Sequence, residues 1–424
     1  MAPQAPLAAA DWLRLSCVLT LFLLFNTAAS KSIVKALPGY SGDLPFKLET
    51  GYVSVGERDD VQLFYYFIES ESNPVKDPLV LWITGGPGCS AFSGLVYEIG
   101  PLIYDVPAFN GSLPTFLLNS YAWTKIANII FLDTPVGTDF SYATTPEGYY
   151  SSDIETAKET YSFLRKWLLD HPKFSTNNLY IAGDSYSGIL VPMIVSEISN
   201  GNEDGHMSRM SLEGYLLGNP ATYIHNDQNS KITYTHRMGL ISDEYYERAK
   251  SSCQDEYVDP DPNNAQCIYY LRLIKECTGK LNEAHILEPK CGSTAPKPDQ
   301  LKLGLRFFED ISMDILFLPS QQEEMWCRKY NYVLSYVWAN DPAVQQALQI
   351  RQGTKTEWKR CNKTLSFEED VENVVECHQF LSTKGYRALI YSVAMLRFLQ
   401  QRKDTLAFNE CVFGHIPTKN SVLD

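Results

Sequence analysis

The residues best equipped for chemistry lie in NLYIAGDSYSG (178–188). An apolar run ends at Gly183, Ser185 occupies the turn, and a helical pattern begins at about Ile189. A serine at a sharp strand-to-helix turn is lifted out of the backbone as a nucleophile, and such a turn demands small residues two positions either side. Here these are Gly183 and Ser187, the latter small enough to stand where a second glycine is usual. A second strand-to-turn passage, LVLWITGGPGCSAFSG (79–94), carries the glycine-rich stretch whose backbone N–H groups could stabilise a developing oxyanion. The N–H next to the nucleophile, on Tyr186, would be the other donor. Together they point to acyl chemistry on Ser185, which further requires a base and an acid to orient that base.

The elements needed to hold these turns are legible around them. FKLETGYVSVGERDDVQLFYYFIES alternates in the manner of strands and turns at Gly56–Asp60, and ANIIFLDTPVGTDFSY repeats the strand-then-loop layout. SSDIETAKETYSFLRKWLLDHP has helical spacing with Ser152 and Asp153 as N-cap candidates. NLYIAG, GYLLGNP and GYRALIYS add short apolar strands, and the alternation predicts an α/β fold with a mostly parallel sheet covered on both faces. Between about Tyr223 and Tyr336 four cysteines and the proline-rich EPKCGSTAPKPDQ suggest an insertion over that sheet.

Composition narrows the setting. The chain has 424 residues, 45% hydrophobic, with a net charge of −14, which argues against nucleic acid or an anionic membrane as partner. Arg14, the apolar run Leu15–Phe25 and the small residues Ala28, Ala29 and Ser30 have the layout of a secretory signal over 1–30, leaving no membrane anchor after cleavage. With Cys17 in that segment nine cysteines remain, an odd number in an oxidising compartment, and none has zinc-site spacing. No metal or cofactor is expected. Asn110-Gly-Ser and Asn362-Lys-Thr are glycosylation sequons.

The segments LWITGGPGCSAFSGLVYEIGPL, FLDTPVGTDFSY, IAGDSYSG, GYLLGNP and MGLISDEYYE, in this order, resemble the serine carboxypeptidase family, and within it the plant serine carboxypeptidase-like acyltransferase branch. The resemblance runs from about Gly39 to Ser392. It implies an α/β-hydrolase core over 31–222 and 337–392, with a helical, disulfide-bearing cap over 223–336. It also implies Ser185 as nucleophile, the N–H groups of Gly86 and Tyr186 as oxyanion hole, and disulfides Cys89–Cys327, Cys253–Cys267 and Cys277–Cys291.

Peptidases of the family carry Asn-Gly-Gly-Pro-Gly and a Glu before the serine, and these grip a peptide's free carboxylate. This chain has Thr84, Gly85 and Asp184 there, as the acyltransferase branch does, while Asp184 and Glu98 could still share a proton. Replacing a hydrogen-bonding pattern discriminates between substrates more strongly than a change of size. The resemblance therefore implies a 1-O-acyl glucose donor and an alcohol or amine acceptor, in the vacuole or outside the cell. A peptidase and a non-catalytic binding protein are the alternatives.

The family's catalytic Asp follows the strand that here reads RALIYS, in Tyr-Ser-Gly-Asp-His-Asp. This chain reads YSVAMLRFLQQRKD instead, so 393–424 is expected to be a tail foreign to the family, with the triad Asp, the triad His and the last part of the core missing. Asp404 and His415 are the tail's only substitutes before Asn420, and His225, His236 and His378 lie in segments assigned to structure.

Overall fold

The computed structural model describes residues 31–205, 208–282, 286 and 328–392; the proposed signal, Cys291, Cys327 and the 393–424 tail lie outside the described residues. The strands are β1 (Lys31–Ala36), β2 (Asp43–Val55), β3 (Val61–Ile68), β4 (Leu79–Ile83), β5 (Leu102–Tyr104), β6 (Phe116–Leu118), β7 (Asn128–Leu132), β8 (Tyr142–Ala143), β9 (Tyr150–Ser152), β10 (Leu179–Asp184), β11 (Leu212–Gly218), β12 (Ser366–Glu368) and β13 (Arg387–Tyr391). The helices are α1 (Asp153–Asp170), α2 (Ser187–Asp204), α3 (Ile224–Arg237), α4 (Asp243–Cys253), α5 (Ala265–Thr278), α6 (Arg328–Ala339), α7 (Pro342–Ala347) and α8 (Val375–Thr383).

One sheet organises the molecule, in the order β1-β2-β3-β7-β4-β10-β11-β13, with β8 against β3. From β7 to β13 all pairs are parallel, while β1, β2, β3 and β8 pair antiparallel. The expectation of a mostly parallel sheet thus describes one half. Gly56–Asp60 joins β2 to β3 as a hairpin, which needs no crossover helix.

The central strands LVLWI and NIIFL are buried along their whole length, as parallel strands covered on both faces must be. Alternation along β3 feeds two cores: Phe64 and Tyr66 join Trp82, Phe92, Phe131 and Trp338 on one face. Tyr65 and Phe67 join Phe163, Trp167 and Ile194 on the other. Ser152 caps α1, its Oγ accepting from Glu155 N–H, with Asp153 and Glu155 favourably placed in the first turn. Apart from both cores, Ile241, Ala249 and Ile274 of the α3–α5 region form a small cluster with the Cys253–Cys267 disulfide nearby.

Candidate active site

Ser185 sits between β10 and α2 with φ +57°, a left-handed conformation that costs a non-glycine residue about 1–3 kcal/mol. The surroundings hold it there: its N–H donates to Gly218 O (3.0 Å), and its carbonyl accepts from Gly188 N–H (3.0 Å) and Ala221 N–H (2.9 Å). A Cβ at Gly183 would lie 2.3 Å from Ser187 Oγ and 2.5 Å from Ile83 O, so this position must be glycine. Ser187 is tolerated because its hydroxyl turns back to donate to Asp184 O at 2.6 Å. The helix starts at Ser187, two residues before the sequence pattern suggests.

The glycine-rich turn closes directly onto this elbow. A Cβ on Gly85 would be 2.6 Å from Tyr186 N and 2.8 Å from Ser185 Cβ, so the two backbones are in contact. Neither Gly86 N–H nor Tyr186 N–H has an acceptor among the described residues. Two amides with free donors beside a strained serine are what an oxyanion requires.

The turn is fastened from its far side by Cys361, which corrects one expectation. Cys89 pairs with Cys361 and not with Cys327. The strand-like passage Arg360–Asn362 runs antiparallel beside the turn, with Ser90 N–H donating to Arg360 O (2.7 Å) and Asn362 N–H to Gly88 O (2.9 Å), and this brings Cys361 opposite Cys89. Cys253–Cys267 forms as expected. Cys277 is disulfide-bonded, and Cys291, its expected partner, lies outside the described residues. Cys377 is a free thiol.

Three further site candidates surround the turn. Thr84 is buried and its Oγ accepts from Trp82 Nε1 at 3.3 Å, leaving the hydroxyl proton available. Asp184 Oδ1 faces Gly85 N–H at 3.4 Å. Glu98 lies on a solvent-reachable wall, yet is surrounded by enough protein to lose much of its hydration. Burial pushes both carboxyls upward, and for Glu98 the charge of Asp184 adds to the push. The Gly85 N–H opposes this at Asp184, and the charge of Arg360, which sequence reasoning missed, opposes it at both. Its guanidinium lies 3.8 Å over the Tyr332 ring, and only the path of the Cys361 segment brings it here.

The structure does not bring a base to Ser185 among the described residues. His171 bonds Glu49 (2.7 Å) and Trp167 O (2.7 Å), His225 meets Glu256 (3.3 Å), His236 meets Asp243 (2.7 Å), and His378 meets Tyr215 Oη (2.8 Å). His206, His285, Asp404 and His415 lie outside the described residues. Of the two sequons, Asn110 is exposed, whereas Asn362 donates through Nδ2 to Gly137 O at 3.0 Å. Among the described residues no helix is long and apolar enough to cross a membrane.

Comparisons with known proteins give the family and the fold. The family model described as serine carboxypeptidase matches residues 38–395. Serine carboxypeptidase-like 8 of Arabidopsis thaliana is 45% identical over 374 residues, covering 88% of this chain and 80% of its own. Serine carboxypeptidase-like 16 of the same plant is 45% identical over 383 residues, covering 90% and 81%. Among solved structures, Kex1(delta)p, a prohormone-processing carboxypeptidase from Saccharomyces cerevisiae, superposes with a TM-score of 0.60 at 18% identity, covering 82% of this chain and 73% of that one. That likeness carries the fold, an α/β-hydrolase core. The chain belongs to the serine carboxypeptidase family, among its plant serine carboxypeptidase-like members.

Proposed function

We propose that this protein is organised for acyl transfer through Ser185, from a 1-O-acyl glucose donor to an alcohol or amine acceptor, and that this chain turns over at a small fraction of the rate such a site can reach. The observation that carries the acyl-transfer reading is the strained Ser185 with the unpaired N–H groups of Gly86 and Tyr186 beside it. In the productive reaction the serine oxygen attacks the donor carbonyl, the amides stabilise the oxyanion, and glucose leaves before the acceptor takes the acyl group.

Thr84 supports the acyltransferase branch over peptidase action, because one hydroxyl already engaged with Trp82 replaces the amide expected to grip a peptide carboxylate. The low turnover follows from the missing base: Ser185 has no imidazole partner among the described residues, and 393–396 lacks the family's Gly-Asp-His-Asp. In a subtilisin series, loss of the catalytic histidine alone costs about a millionfold in turnover. Disulfides such as Cys89–Cys361 and Cys253–Cys267 fit folding in the secretory pathway, on the way to the vacuole or the cell exterior.

The protein is tested by incubation with an acyl glucose, with and without acceptor, and with a blocked dipeptide. Binding of the acyl glucose with trace ester formation is expected. Ester formation at ordinary enzyme rates defeats the low-turnover reading, and peptide hydrolysis alone favours a carboxypeptidase. The lack of an imidazole partner for Ser185 among the described residues also favours a second reading, a non-catalytic protein that binds the donor; tight binding with no ester at all would select it.

A further inference from the structure

Behind the glycine-rich turn lies a pair of acids that the chemistry above does not use. Asp133, at the end of β7, and Asp139, six residues on, are both fully buried. Ser90 Oγ lies 3.0 Å from Asp133 Oδ1 and 2.7 Å from Asp139 Oδ2, and Ala91 N–H donates to Asp133 Oδ1 at 2.9 Å. Phe92 N–H donates to Ser90 Oγ at 3.1 Å, so the hydroxyl, the next two amides and the two acids form one network. Ser90 Oγ thus bridges the two carboxyls, and the remaining oxygens, Asp133 Oδ2 and Asp139 Oδ1, have no donor among the described residues.

We propose that Asp133 and Asp139 share one proton and, through Ser90 and Ala91, act as positioning residues that hold the Gly85–Ser90 turn. A proton count supports this. The Ser90 hydroxyl and Ala91 N–H supply two oxygens, the Tyr66 hydroxyl reaches Asp139 Oδ2 only at 3.4 Å, and a proton held by the pair supplies a donor that its remaining oxygens lack among the described residues. Without it two carboxylates would stand together out of water, an arrangement in which one is always driven to protonate. With it the pair carries a single negative charge. The groups facing it are Tyr52 from β2, Tyr66 from β3 and the ammonium of Lys355, itself influenced by Lys359, and Lys355 donates to Gly137 O at 3.0 Å within the same loop. Burial and the neighbouring acid raise Asp139 well above the ordinary carboxylate range.

The sign of the pH dependence follows. Asp139 keeps its proton in the folded protein at pH values where the unfolded chain has lost it, so its contribution is complete at low pH and declines as pH rises above the ordinary carboxylate range. The turn should loosen in step. Its consequence for catalysis rests on reading this turn as the oxyanion hole, but the holding role does not.

The test needs no turnover, so a failure of Ser185 chemistry leaves it intact. Asp139→Asn replaces the shared proton with a permanent amide donor. Denaturant midpoints between about pH 5 and about pH 8 are expected to lose about one proton's worth of pH slope relative to the parent, a tenfold change in folding constant per pH unit. Hydrogen exchange at Gly85–Phe92, corrected for its intrinsic pH dependence, should lose protection by about tenfold or more over that range in the parent and by under about twofold in Asp139→Asn. Equal slopes, or turn amides that follow pH no more steeply than those of β3, would overturn the proposal. Should Asp139→Asn fail to fold, Ser90→Ala reads the same link: about a tenfold loss of protection confined to the turn is expected. A uniform change or none would sink it.

Discussion

The two sides of Ser185 are built to different standards. On the β4 side the glycine-rich turn touches the elbow, is bonded to Cys361, and rests on fully buried acids. On the β11 side the neighbour is β13, whose residues Arg387–Ala388–Leu389–Ile390 are exposed, with Leu389 and Ile390 more than half so (55% and 51%). β13 pairs with β11 along one edge, and no described strand follows on the other. The contrast separates two sides of the candidate site: the side proposed to stabilise an oxyanion is crosslinked and hydrogen-bonded. In an α/β-hydrolase the acid and base come after the nucleophile in chain order, beyond a strand such as β13. This is the side where the described structure is thin.

The sharpest way to break this contrast is to cut the rigid side loose. Cys361→Ser opens a disulfide spanning 272 residues and releases the segment that carries Arg360, so a loss of about 4 kcal/mol is expected in denaturant unfolding under oxidising conditions. A loss below about 1 kcal/mol would mean that hydrogen bonds, not the crosslink, fasten the turn. Gly85→Ala comes next. Its new methyl group would meet Tyr186 N at 2.6 Å and Asp184 O at 2.7 Å, both main-chain atoms that cannot swing aside, and about 3 kcal/mol of destabilisation is expected. Retained stability would show that the turn can retreat from the elbow.

Much of the rigid side was legible in the sequence because its constraints are local. The elbow at Ser185, the Gly56–Asp60 hairpin, the Ser152 cap and the Cys253–Cys267 loop each follow from residues within a few turns of one another. What escaped notice depends on distance. Cys361 meets Cys89 from 272 residues away, and spacing holds no information about which distant cysteine arrives. The charge of Arg360 comes to act on Asp184 and Glu98 by the same route. Asp133 and Asp139 lie in FLDTPVGTDFSY, and nothing in a one-dimensional string says that Ser90 will be placed between them. The RALIY strand reads as a buried core strand by its apolar run, yet is exposed, because burial is a property of neighbours as well as of the strand.

A smaller effect sharpens the comparison through pH. Asp153 is buried next to the oxyanion side, accepting from Tyr186 Oη (2.9 Å) and Val371 N–H (3.1 Å), and burial raises it to about 6. The folded protein holds this proton between the ordinary carboxylate value and about 6, while the unfolded chain has released it. Its contribution to stability is therefore whole in acid and falls as pH rises through that window, by about 1.4 kcal/mol per pH unit for one proton. Asp153→Ala should remove this slope from the urea midpoint and lower overall stability. An unchanged slope would place Asp153 in contact with water.

The smallest expected effect belongs to the thin side. Leu389→Lys and Ile390→Lys replace side chains already about half in water, so each should change stability by under about 0.5 kcal/mol. The same change at Leu81, fully buried in β4, should abolish folding. An open strand with apolar residues is also a template for pairing with other chains, and lysines on such an edge oppose it. Both variants are thus expected to reduce concentration-dependent association, read by light scattering, without moving the unfolding midpoint. A large loss of stability in either would mean that β13 is covered in solution. The second half of the site would then have a wall against which a base could be held.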